Sequence, residues 1–114
     1  MLYAILAYHV EAEVMSWTAQ EDAAVMNDLD MVHDRLTQHT HLGPAARLGS
    51  TEKARTLRGP GAGFVVDGPF AETKEQIAGY FVVEVNDLDE AVEIASLIPA
   101  AHHGTIEVRP VWET

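Results

Sequence analysis

Proton transfer needs a group that titrates near neutrality and a second group that orients it, and His9 and Asp67 have those types. An unperturbed imidazole titrates at about 6.5, which suits exchange with a bound molecule at neutral pH. A carboxylate across the sheet from it would hold the ring in one tautomer, and Asp67 could also serve as a general base. Each residue has a plainer role open to it. Asp67 begins Asp67-Gly68-Pro69, a turn in which an aspartate side chain accepts backbone N–H bonds. His9 closes an apolar run and reads equally as a half-exposed histidine at a strand end.

Around this pair stand groups able to hold a small polar molecule. Lys74, two residues after Glu72, could bind a carboxylate or stabilise an enolate, or pair with an acid across a subunit boundary. Tyr80, Arg58 and Arg109 fall on apolar or alternating stretches whose second face can line a cleft. Tyr80 would donate a hydrogen bond there or pack at an interface. Phe70, just after the turn, reads as a plug for the core and as the apolar wall of a substrate site.

Metal and cofactor chemistry find little support. His39 and His41 have the spacing that puts two ligands on one strand face, but no third ligand stands nearby. His102 and His103 are adjacent and point apart if extended. No serine-nucleophile motif, phosphate-binding glycine loop or flavin fingerprint is present. The expectation is a site with neither metal nor cofactor.

The balance of 18 acidic to 7 basic residues gives a net charge of −11. Nucleic acid is a poor partner for such a chain, because phosphate contacts need clustered cations. Four of the seven basic residues lie between Arg47 and Arg58, a strip that suits an anionic small ligand or a solvated hairpin face. The chain has no cysteine, which excludes thiol catalysis and fits a reducing compartment. No apolar run approaches the ~18 residues of a membrane span, and no charged leader opens the chain. A soluble, cytoplasmic protein of one domain over residues 1–114 is expected, with no membrane partner.

The elements that must position these groups follow from periodicity. Leu2 to His9 is apolar on both faces, with Leu2, Ala4, Leu6 and Tyr8 on one and Tyr3, Ile5, Ala7 and His9 on the other. Thr18 to about Gln38 predicts a helix, opened by Thr18 and Glu21 at capping-box spacing and carrying Val25, Leu29, Val32 and Leu36 as its stripe. Trp17 is placed to staple its entry. His39 to Leu48 predicts a bent or bulged strand, Ala54 to Arg58 a strand, Gly59 to Gly63 a turn and Phe64 to Val66 a short partner strand. Gly79 to Val85 is a second apolar strand. Asp87 and Glu90 cap a helix running to about Leu97, with Val92, Ala95 and Ile98 inward and Pro99 ending it. Thr105 to Trp112 is the last strand, and its Pro110 prefers an edge or an end.

That order is βαββαβ, a ferredoxin-like α+β fold with both helices on one face of an antiparallel sheet. The other face stays apolar and uncovered, and the economical cover is a second copy, two sheets stacked in a two-fold homodimer. His9 and Asp67 are then expected at the cleft between the subunits.

The stretch VVDGPFAETKEQIAGYFVVEV resembles the signature of the YCII-related family in its DGPF branch. The likeness extends back through ARTLR and RLGS and forward through NDLDEA, IPAA and EVRPV, and the opening YAILAYH with Glu11 two residues on also fits. The resemblance implies a ferredoxin-like subunit assembled as a dimeric α/β barrel. It implies an enzymatic role through a histidine and an aspartate, and, through relatives fused to sigma factors, a possible regulatory partnership with a sigma factor. In the family's other branch the histidine lies on the first helix, where His33 is the candidate here, out of register. The segment HTHLGPAA departs from the branch, which is usually glycine-rich and apolar at that point.

Overall fold

The computed structural model describes residues 1–39, 41–59, 64–71, 73–99 and 104–112, with backbone alone at 38, 39, 41, 42 and 64. Strand β1 (Leu2–Val10) runs into a short helix α1 (Glu11–Ser16) and then a long one, α2 (Ala19–His39). Strand β2 (His41–Arg47) leads through a 3-10 turn at Thr51–Lys53 to β3 (Arg55–Arg58) and β4 (Phe64–Asp67). Strand β5 (Glu75–Glu84), helix α3 (Leu88–Ala95) and strand β6 (Thr105–Pro110) complete the chain.

Four strands form one antiparallel sheet in the order β2-β5-β1-β6, while β3 and β4 form a separate hairpin. Without the hairpin the order is the ferredoxin-like one: the two central strands are the apolar pair, and Pro110 falls at the end of an edge strand, where no ladder bond is lost. The bent strand expected before Leu48 is β2, whose register slips between Leu42 and Ala45. No described helix is long and apolar enough to cross a membrane.

The helices start where capping dictates. Thr18 Oγ1 accepts from the Glu21 N–H at 3.1 Å and Glu21 Oε1 accepts from the Thr18 N–H at 3.3 Å, a reciprocal capping box. Asp87 Oδ1 caps the Glu90 N–H at 2.9 Å and opens α3. Of the residues expected inward on α3, Ala95 and Ile98 are buried and Val92 is not. Ala91 and Ile94 are buried with them. Spacings of three and four residues from Ala91 make the buried stripe, and Val92 lies one residue off it.

The core lies between the sheet and the two longer helices. Tyr3, Ile5 and Ala7 of β1 and Phe81 and Val83 of β5 meet Leu36 of α2 and the inward stripe of α3. Residues opposite each other in register share a face. The other face therefore carries Leu2, Ala4, Leu6 and Tyr8, flanked by Tyr80 and Val82 on β5 and by Glu107 and Arg109 on β6. No helix covers it.

Backbone crowding sets two corners. Gly68 has φ of 101°, a left-handed conformation that glycine adopts without strain, and its N–H donates to the Ala54 carbonyl at 2.8 Å. A Cβ at Gly104 would sit 2.1 Å from the Tyr8 carbonyl oxygen, so the approach into β6 needs glycine.

Glu11, the first residue of α1, straps the turn after β2 to the end of β1. Its carboxylate accepts from the Thr51 N–H at 2.7 Å and from the Thr51 hydroxyl at 2.5 Å. The backbone N–H bond chiefly, with the hydroxyl bond, holds its pKa below the ordinary 4.5. A depressed pKa stabilises the fold above the unfolded value, and that stabilisation is lost as pH falls through the folded value. Glu11→Gln is therefore expected to unfold at lower denaturant than the wild type at pH 7. The gap should close as pH drops below about 4.5, as read from urea midpoints at pH 7 and pH 3.

Candidate functional site

The floor beneath the N-terminal half of α2 is built of small side chains. Ala45 on β2, Ala7 on β1, and Ala78 and Gly79 on β5 leave space that the helix does not fill. Leu36 is fully packed near the C-terminal end of α2, whereas Val25, Met26 and Leu29 are only half-buried. The result is a cavity of about 200 Å³ between helix and sheet, closed at one end by Phe81, Ile98 and Pro99.

Four polar side chains reach this cavity: His9, Asp30, His33 and Arg47. His9 is there because β1 alternates. It shares the face of Tyr3, Ile5 and Ala7, which is the face that α2 covers. Its ring lies edge-on to Trp17 at 6.0 Å between centroids and 90° between planes, an arrangement favoured by the aromatic quadrupole. Trp17 therefore packs against the site histidine, where it was expected to staple the helix entry. Asp30 and His33 are one turn apart on the exposed flank of α2. Arg47 makes a two-point ion pair with Asp22 of α2, at 2.6 and 3.2 Å. The guanidinium's hydrogen bond, then its charge, holds the Asp22 carboxyl below its usual value.

The other sequence-predicted residues fall elsewhere. Asp67 ends β4 on the hairpin, a different sheet from His9, and its exposed carboxylate pairs with Arg55 Nε at 3.0 Å. Its turn is closed by Gly68, whose N–H and carbonyl bond to Ala54 and to the Thr56 hydroxyl. Phe70 corrects an expectation. It is 72% exposed, not a core plug, because the turn throws its ring outward. The Arg58 guanidinium stacks 5.1 Å from that ring. Lys74 is exposed beside the start of β5, where its carbonyl accepts from the Glu11 N–H at 3.2 Å. Tyr80 and Arg109 lie on the uncovered sheet face, opposite Leu6 and Ala4 in register.

A second, wider depression of about 660 Å³ lies beside Tyr8 and Ile77, walled by Lys53, Pro69, Phe70 and Thr73. Phe70 alone of the expected site residues lines it. Among the described residues no group of three or more His, Asp or Glu could hold a metal ion. The His39 and His41 side chains, and His102 and His103, lie outside the described residues.

Sequence reasoning missed Asp30, Asp22 and the cavity itself, and it read Arg47 only as part of a basic strip. The available signal was the set of small residues Ala7, Ala45 and Gly79 on the face covered by a helix whose stripe carries larger ones.

The family model for the YCII-related domain matches residues 1–114. An uncharacterised protein of Rhizobium meliloti (strain 1021) is 44% identical over 114 residues, a span of 97% of this chain and 92% of that protein.

Proposed function

This chain belongs to the YCII-related domain family, and from that premise we propose that it binds a small organic molecule and moves a proton on it without a cofactor. The ligand site is the cavity between α2 and the sheet, and His9 is the proton-transfer group. One observation carries this reading: the His9 imidazole lines a cavity whose sheet-side floor is small and apolar, with its ring set against Trp17. A concave, largely apolar pocket with a few convergent polar groups is the default candidate for a binding site. Asp67, Arg58, Phe70 and Lys74 take no part in the site on their own subunit.

The working unit in this reading is a cytoplasmic homodimer. Leu2, Ala4, Leu6, Tyr8, Tyr80 and Val82 make an apolar sheet face without a helix above it. The subunit measures 44 × 43 × 18 Å and has a radius of gyration of 15.5 Å. A compact chain of this length would have about 13 Å. A slab with one bare apolar face is the shape of half an assembly. Tyr80 and Arg109 then belong to the seam between stacked sheets.

His9→Ala and His9→Gln test the reading. Wild-type protein from its native host should carry a copurifying metabolite, or turn over a compound in a metabolite screen. His9→Gln should keep binding and lose turnover, while His9→Ala weakens both. The hairpin favours a second reading, a protein-binding module linked to a sigma factor, because Leu57 and Val65 are exposed on it and Phe70 is exposed just after it. Stoichiometric recovery of a sigma factor, undiminished by either His9 variant, would overturn the enzymatic reading in favour of that one.

A further inference from the structure

On the footing that the helix-side cavity is the binding site, we propose that it selects small single-ring or short branched apolar molecules with a cationic or neutral head, and disfavours carboxylates. Size comes first. An apolar cavity of about 150 Å³ accommodates benzene, so the ~200 Å³ here takes one ring with a short substituent. The deep walls, Ala7, Val25, Phe81 and Ile98, offer no side-chain hydrogen bond, so the ligand's polar end belongs at the mouth.

Charge decides which polar end. One carboxylate, Asp30, and one guanidinium, Arg47, line the cavity with the imidazoles of His9 and His33, and Asp22 pairs with Arg47 from outside the lining. Arg47 is committed to Asp22 through its two terminal guanidinium nitrogens, so that pair sums to zero. The Asp30 carboxylate is left as the uncompensated fixed charge among the described lining residues, and the chain's −11 adds to it. A ligand carboxylate would have to sit beside Asp30 or pull Arg47 away from Asp22. An ammonium meets Asp30 directly, and a hydroxyl can bond to Asp30 or His33 at no electrostatic cost.

Benzylamine, benzyl alcohol and benzoate share one ring and differ at the head, and their affinities for the full chain can be measured by NMR titration at low salt. Benzylamine should bind tightest and benzoate weakest. The ratio should be on the order of fivefold, since Asp30 is exposed and its field is screened by water. Asp30→Asn should collapse that ratio. Asp28→Asn, which removes the same charge from α2 outside the cavity lining, should leave it in place. Benzoate binding as tightly as benzylamine, or an equal loss of the ratio in both variants, overturns the head-group selectivity and leaves the cavity as the site. Failure of all three compounds to bind overturns the cavity reading itself.

Discussion

Leu6→Arg is expected to give a folded monomer where the proposed stacked-sheet assembly makes the wild type a dimer. Leu6 sits in the middle of the bare sheet face, between Tyr80 of β5 and Glu107 of β6 in register. Within one subunit the substitution is mild, because an arginine there finds Glu107 directly across on the same face. In the dimer it is severe. Two-fold stacking brings the same patch of both subunits together, so two guanidinium groups would be buried at one seam. Desolvating two added charges at one seam costs on the order of several kcal/mol even where each faces an acid, which raises a dissociation constant by a hundredfold or more. Sedimentation should show the wild type as a dimer at micromolar concentration and the variant as a monomer with an unchanged circular dichroism spectrum. A wild type that sediments as a monomer would remove the stacked-sheet assembly.

Ile5→Ala is expected to cost about 2–5 kcal/mol of stability, a large share of the 5–15 kcal/mol that holds a domain together. Ile5 has no solvent exposure and lies between Phe81 and Val108 in register, beneath the helices. Its close packing leaves little room for neighbours to relax into the void. Val92→Ala is the matched control: half of Val92 is exposed, and its loss should change stability by no more than about 0.5 kcal/mol. Urea midpoints decide between them. A costly Val92→Ala would restore Val92 to the inward stripe expected from the sequence.

Much of the architecture was legible because local chemistry and global fold agree. The Thr18–Glu21 and Asp87–Glu90 caps start both longer helices. The apolar runs of β1 and β5 are the two central strands, where both faces need cover. Helix α1 was not legible, since six residues give no stripe to read and stand far below the length at which propensity decides.

The site was legible only in part, for a reason specific to β1. Alternation groups His9 with Tyr3, Ile5 and Ala7, but both faces of the strand are apolar. Nothing in the pattern says which face the helices take. His9 was therefore expected at the seam between sheets, near Asp67, whereas it lies under α2 and Asp67 lies on the hairpin paired with Arg55. Phe70 failed for a related reason. An aromatic after Gly68-Pro69 looks inward-bound, but the hairpin stands apart from the main sheet and the ring stacks under Arg58.

Methyl chemical-shift mapping tests the central claim most directly. A fragment set is titrated into the protein with methyl groups labelled, and the perturbed residues are read out. If the functional cavity is the one beneath α2, the methyls of Ala7, Val25, Met26 and Ile98 should move together, and His9→Ala should weaken the response. Perturbations confined to Ile77, Thr51 and Thr73, beside Phe70, would put the site in the wider depression instead and contradict the role given to His9.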